Sequence, residues 1–307
     1  MPTAPGGSTD FTARLVATAL TQALGQPIIV DNKPGASGNI GNKFVARAPN
    51  DGYTLLVSYS GYHVGNPHLF KQAGWDPIKD FAPVAMMTRA PQVIAARQDL
   101  PVNNLKELIA YAKASPGKLN YASSGNGSIQ HIAGELFKQL TGTFITHIPY
   151  RGSGPAVQDL LDGQVDLFIT TPAGVVSQVQ AGRLKALAVT SKQRLPSLPK
   201  VPTTSESGLN GFELDSWFAL YAPAGTPPDI VQMLNVEVNK ILAAPDTKKK
   251  AEDSGTSVEQ MTPQQLASFT KQELDYWGKV IGKAKIVVDR YSHAQTCHSW
   301  IQLRVGL

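Results

Sequence analysis

The sequence predicts an α/β protein of two lobes, on three observations. Helical and strand-like segments alternate along most of the chain, the order expected of mainly parallel sheets with helices on both faces. The alternation falls into two sets, bracketed by the strand-like segments 95–97 and 217–221. The chain has 307 residues, 42% of them hydrophobic, which is about two domain lengths and enough for a sizeable core.

Each element has a local reason. Residues 8–24 carry Phe11, Leu15, Ala19 and Leu20 near one helical face, and Gly25 follows as a stop. Ile28, Ile29 and Val30 predict a short buried strand, ended by the turn at 31–35. A helix over 39–48, a turn at Asp51-Gly52 and a strand over 53–57 follow. The second set starts with a helix over 105–114, stopped by Pro116-Gly117. Strands over 119–122, 146–149, 165–169 and 187–189 then alternate with helices over 128–140, 154–161 and 173–180. The Pro-rich stretch 195–202 is a loop, 217–221 is a further strand, and 223–227 opens a helix with Pro228 in its first turn. Thr262-Pro263 starts the last long helix, which runs to about Lys283.

Composition excludes several classes. Charged residues are 17% of the chain, too few for a disordered or coiled-coil protein. No apolar run reaches the ~18 residues of a membrane helix. The single cysteine, Cys297, excludes an intrachain disulfide and a cysteine-based metal site. The net charge of +5 is scattered, and Lys248-Lys249-Lys250 reads as a solvated helix face, with a nucleic-acid patch as the minor reading. A mildly basic surface suits a protein that handles anions. Residues 1–5 lack the charged start and apolar stretch of a secretion signal, which by itself suggests the cytoplasm. Residues 290–307 have no helical or alternating period and read as an atypical, unpacked tail; the pair His293 and His298 has no evident third ligand.

Ligands of α/β proteins collect at the carboxyl ends of strands and at helix N-termini, where backbone N–H groups are free and the dipole is positive. Three junctions rich in small residues fit this description: PGGSTD at 5–10, SSGNGSIQH at 123–131 and TTPAGV at 170–175. Together they would hold a carboxylate without an arginine; alternatively Ser8, Ser128 and Thr171 are plain N-caps. Other motifs fail residue by residue. Gly125-Asn126-Gly127 opens like a dinucleotide fingerprint, but Gln130 stands where its third glycine belongs, and GASGNIG at 35–41 has the wrong spacing. There is no P-loop, nucleophile elbow or His-Glu-x-x-His. His131 falls in a first helical turn, where a local hydrogen bond is the commoner role, and His63 lies in the loop 58–67. Asp10, Asp159 and Asp166 form no evident acid pair or triad.

The sequence resembles the Bug (TctC-like) family of extracytoplasmic solute receptors of the tripartite tricarboxylate transporter class. The resemblance rests on PGGSTD and ARLVA, LGQPIIVDNKPGASGNIG, DGYTLL, GNP, DPIKDFAPV, NYASSGNGSIQH, PYRGSGPAVQDLLDGQVDL, LKALAVT, LPSLPKVPTTSESG and FALYAPAGTPPDIV. These occur in order from Pro5 to about Asp289 and are specific as a set. The resemblance implies a type II periplasmic-binding-protein fold with the cleft between lobes. Lobe one would be 1–98 plus 222–289 and lobe two 99–221. It implies a monomeric, periplasmic, non-enzymatic receptor that needs no cofactor or metal. Such a receptor would deliver a small carboxylate-bearing solute to a membrane permease, or present it to a sensor. The family's binding loops map onto Gly7, Ser8 and Thr9; Ser60, His63 and Asn66; Ser123, Ser124, Gly127, Ser128 and His131; and Thr171 and Ala173. Tyr59, Tyr62 and Trp217 would hold the distal end of the ligand or belong to the core. Two alternatives stand beside this: a hydrolase-like α/β enzyme, and a truncated receptor that no longer binds. The second arises because the apolar first strand that precedes PGGSTD in the family is missing here. The expectation is a weakly stable chain, or a gap filled by other residues such as 301–305.

Overall fold

The computed structural model describes residues 1–284. The expectations placed on the tail, on Cys297, His293 and His298 and on 301–305 lie outside the described residues. Within them the chain forms two separate sheets. The first contains β1 (Leu56–Tyr59), β8 (Asp215–Pro223), β2 (Phe81–Pro91) and β9 (Ser257–Val258), in that spatial order. The second contains β5 (Thr146–Pro149), β4 (Asn120–Ser123), β6 (Leu167–Thr170), β3 (Val93–Arg97) and β7 (Leu184–Val189).

The expectation of mainly parallel sheets is corrected. Every pairing in the first sheet is antiparallel. In the second, β4 pairs in parallel with β5 and β6, whereas β3 is antiparallel to β6 and β7. The cause is the path of the chain. One residue, Gln92, separates β2 from β3, so a single run leaves the first sheet for the second. β8 comes back the other way and inserts between β1 and β2. Residues 93–97 therefore sit in the second sheet and all of Asp215–Pro223 in the first, which sets the crossings at Gln92 and just before Asp215.

The helices cover these sheets through apolar stripes. Helix α1 (Ser8–Leu24) ends at Gly25 in the left-handed conformation, φ 63°, as a glycine stop allows. Its buried stripe is Ala13, Val16, Ala17 and Leu20, rotated from the expected Phe11–Leu15–Ala19 face. That stripe packs on Val57, Val84 and Leu220 of the first sheet and on Val231, Leu234 and Val238 of α8 (Pro228–Ala243). Helix α5 (Ile129–Thr141) buries Ile129, Ile132, Ala133 and Phe137. The three lysines at 248–250 are exposed on α9 (Pro245–Asp253), as the solvated-face reading expects.

Ile28–Ile29–Val30 does not form the expected strand: the segment pairs with no strand, and Ile29 is 83% exposed. β1 ends the first sheet, so its outer side faces no strand among the described residues. Beside it lies an apolar groove of about 420 Å³ lined by Val16, Leu20, Ile28, Val30, Leu55 and Val57. At its mouth the Met1 amine donates to the Asp31 carbonyl at 2.6 Å and Lys33 N donates to the Met1 carbonyl at 2.7 Å. This is the bonding pattern of a parallel bridge between Met1 and Asn32.

Candidate functional site

The loops at 5–9 and 170–172 meet between the two sheets. Gly7 is the N-cap of α1 and gives no side-chain cap, so the first-turn N–H groups of α1 keep their positive field. Ser8 lies inside the helix at its start, and Thr171 precedes the tight turn at Pro172–Gly174 without a capping bond. The two hydroxyls bond each other instead, Ser8 Oγ to Thr171 Oγ1 at 2.5 Å, with both residues buried.

Asp10 fixes the first loop from behind. Its carboxylate accepts from Gly6 N at 3.1 Å, from Arg14 Nε at 3.0 Å and from Asn32 Nδ2 at 3.3 Å. Burial works against its charge, but the bonds from Arg14, Gly6 and Asn32 outweigh that and hold its pKa below the ordinary carboxylate value.

Ser8 and Thr171 face a narrow cavity also lined by Thr3, Gly7, Thr9, Tyr59, Ser124, Gln130, Ser153, Ser216 and Phe218. Its free space is about 10 Å³, roughly what one water molecule needs, so the loops are closed upon each other. Gly154 shows how tightly: a Cβ there would lie 2.4 Å from the Pro5 carbonyl oxygen. No lysine, arginine or carboxylate lines the cavity. Its polar surface is hydroxyl, carboxamide and backbone, which suits an anion held by hydrogen-bond donors at a helix start.

Of the residues expected to bind ligand, this cavity brings together Gly7, Ser8, Thr9, Ser124 and Thr171. Ser128 is a true N-cap, accepting from His131 N at 3.2 Å, and is fully buried outside the cavity lining. Gly127 N donates to His131 Nδ1 at 3.1 Å, and the His131 ring stacks on His147 at 4.1 Å. Ser123 Oγ bonds His147 Nε2 at 2.6 Å, behind the cavity. Ser60 Oγ accepts from Trp217 N at 3.3 Å, and Asn66 Nδ2 donates to the Ser37 carbonyl at 2.7 Å. Ala173 is partly exposed on the 172–174 turn, beside the cavity and not in its lining.

His63 is placed apart from them. It is fully buried among aromatic rings, stacked on Tyr221 at 4.1 Å and edge-on to Phe81 at 5.3 Å, and no hydrogen bond partners either ring nitrogen. Burial pushes its pKa down to about 3, so it is a neutral core residue. The three aromatics divide. Tyr59 lines the cavity, Tyr62 donates its hydroxyl to the Ser124 carbonyl at 2.7 Å, and Trp217 is buried with its indole N–H on Glu273 at 2.8 Å.

Sequence reasoning missed Thr3, Gln130, Ser153, Ser216 and Phe218. Ser153 was findable, since Gly152-Ser153-Gly154 at the start of α6 (Ser153–Leu161) is a small-residue junction like the other three. Ser216 and Phe218 lie on β8, where nothing in the pattern separates a cavity wall from a core strand. A larger groove of about 630 Å³ includes Arg89, Lys192, Glu213, Asp215 and Glu273, but Arg89 is already paired with Glu259. No cluster of metal-ligating side chains occurs among the described residues.

Comparison with known proteins follows the same line. The family model described as "Tripartite tricarboxylate transporter family receptor" matches residues 12–286. The structure of the periplasmic binding protein BugD is 38% identical with a TM-score of 0.90, covering 93% of this chain and 96% of that one. The Rhodopseudomonas palustris protein Rpa4515, solved with adipate, gives the same identity, TM-score and coverage. MatC of Rhodopseudomonas palustris, solved with bound malate, is 36% identical with a TM-score of 0.86, covering 91% of this chain and 96% of that one.

Proposed function

This chain belongs to the tripartite tricarboxylate transporter receptor family, and we propose that it captures a small carboxylate-bearing solute between its two sheets and hands it to a membrane permease of that class. The observation that carries the reading is the cavity where Ser8, at the start of α1, meets Thr171. A helix start with unused N–H groups and paired hydroxyls offers donors to a carboxylate, and no lysine, arginine or carboxylate in the lining competes with them. The relatives solved with adipate and with malate support a carboxylate as the ligand class.

In this reading the two sheets are the cores of two lobes that part to admit the solute and close around it. Residues 1–98 with 222–289 and residues 99–221 approximate those lobes, with the crossings at Gln92 and before Asp215. The periplasmic location of BugD is extended to this chain. Among the described residues, no helix is long and apolar enough to cross a membrane.

Binding is preferred over catalysis because the Ser123–His147 pair, which has the atoms of a nucleophile and its base, stands outside the cavity. The test is a thermal-shift screen of mono- and dicarboxylates. A ligand at ~100 times its dissociation constant stabilises by about 2.7 kcal/mol and is recovered unchanged. A screen with no stabilising carboxylate, or one that yields a reaction product, refutes the proposal.

A further inference from the structure

We propose that Gln130 sets ligand choice by donating its carboxamide N–H groups to a second oxygen-bearing group of the solute, so that the protein selects dicarboxylates over monocarboxylates of equal chain length. This rests on the carboxylate-receptor reading above and adds to it the residue that reads the far end.

Gln130 is the second residue of α5, held in the cavity wall by the Ser128 cap and 4% exposed. Its Oε1 accepts from Ser124 Oγ at 2.9 Å, and Ser124 is itself 3% exposed and within 3.4 Å of the Tyr59 hydroxyl. That bond fixes the plane of the carboxamide with oxygen toward Ser124. The Nε2 donors then have no protein partner among the described residues. The Nε2 atom is not fully enclosed, so its N–H groups open on the free space of the cavity and are available to an acceptor that arrives from outside. With no cation in the lining, Gln130 is the side chain there that carries N–H donors, two of them on Nε2.

The other surfaces fit the same ligand. Ser8, Thr171 and the start of α1 take one carboxylate. Tyr59 and Phe218, with ring centroids 6.1 Å apart, supply the apolar surface for methylene groups. Gln130 with Ser124 takes the second oxygen-bearing group. A monocarboxylate would leave the Gln130 donors buried and unmet, which penalises it relative to its dicarboxylate counterpart.

The test is calorimetry on the full chain with three matched pairs: butyrate and succinate, pentanoate and glutarate, hexanoate and adipate. The wild-type chain is expected to prefer the dicarboxylate of at least one pair by more than about tenfold, the weight of a hydrogen bond to a charged group. Gln130→Ala is expected to erase that preference by weakening the dicarboxylate, with the monocarboxylate changed less than about threefold. Gln130→Glu, which turns a donor into a negative charge, is expected to weaken the dicarboxylate further still. Melting curves without ligand check that both variants fold. A preference that survives in both folded variants overturns the inference, as does a wild-type chain that binds both members of every pair equally. Either result leaves the receptor reading standing. A wild-type chain that binds no carboxylate at all overturns both.

Discussion

Ser8 Oγ and Thr171 Oγ1 lie 2.5 Å apart across 163 residues of sequence, one at the start of α1 and the other at the end of the strand β6. Two hydroxyls that belong to different sheets' loops satisfy each other. Replacing both, as Ser8→Ala with Thr171→Val, is expected to weaken carboxylate binding by roughly 1.5–3 kcal/mol, the range for hydrogen bonds to a charged group. Ser128→Ala should behave differently. Its hydroxyl caps α5, so the expected loss is about 1 kcal/mol of folding stability, with little change in affinity. Parallel calorimetry and melting of the variants separate these two outcomes.

Gly154→Ala tests closure. Alanine favours a helix interior over glycine by up to about 1 kcal/mol, and at Gly154, the second residue of α6, part of that gain applies. The new Cβ, however, would stand 2.4 Å from the Pro5 carbonyl oxygen. We expect a melting temperature equal to or above that of the parent without ligand, and an affinity lowered more than about tenfold. Unchanged affinity would show that the loops do not need to touch.

Stability should fall on mild acidification because of two histidines, His63 buried and His147 half-buried. Burial lowers His63 from 6.5 to about 3; burial, then the His131 and Lys138 charges, lower His147 from 6.5 to about 3. The folded chain holds both neutral while the unfolded chain protonates near 6.5. Their contribution is therefore complete above that pH and is lost as pH falls toward 3, by about 1.4 kcal/mol per unit for each histidine at most. Urea midpoints at pH 7.5 and 5.0 measure the slope. His63→Phe, which keeps the ring contacts, should flatten it by about one proton; an equal slope in the variant would contradict the assignment.

Much of the fold was legible because helix punctuation is local. Gly25 stops α1, and Ser128 caps α5, where the sequence puts them. What was not legible is long-range. β-branched Ile28–Val30 looks like a buried strand, but a strand needs partners, and pattern alone does not say whether they exist. The direction of β8 depends on its crossing from one sheet to the other, which no window of sequence records. The site divides in the same way. Ser8 and Thr171 were visible as small residues at helix starts. In the sequence Gln130 only breaks a glycine fingerprint, because a cavity-facing glutamine has no signature of its own.

The groove beside β1 gives a stability prediction. Its walls are apolar and the Met1 amine already makes a parallel-type bond with residues 31–33. A β-branched segment of about seven residues joined ahead of Met1 should bury apolar surface there. At least 1 kcal/mol of stabilisation corresponds to roughly 2–4 °C in melting temperature. A Gly-Ser segment of equal length is the control, and equal melting of the two chains would show that the groove does not take a strand.

The most direct test of the account is the crystal structure of the chain with the carboxylate that stabilises it most. The carboxylate is expected between the two sheets, accepting from Ser8, Thr171 and the first N–H groups of α1, with the far end of the ligand at Gln130. A carboxylate seated instead in the Arg89–Lys192 groove, with Ser8 and Thr171 still bonded to each other, would contradict it.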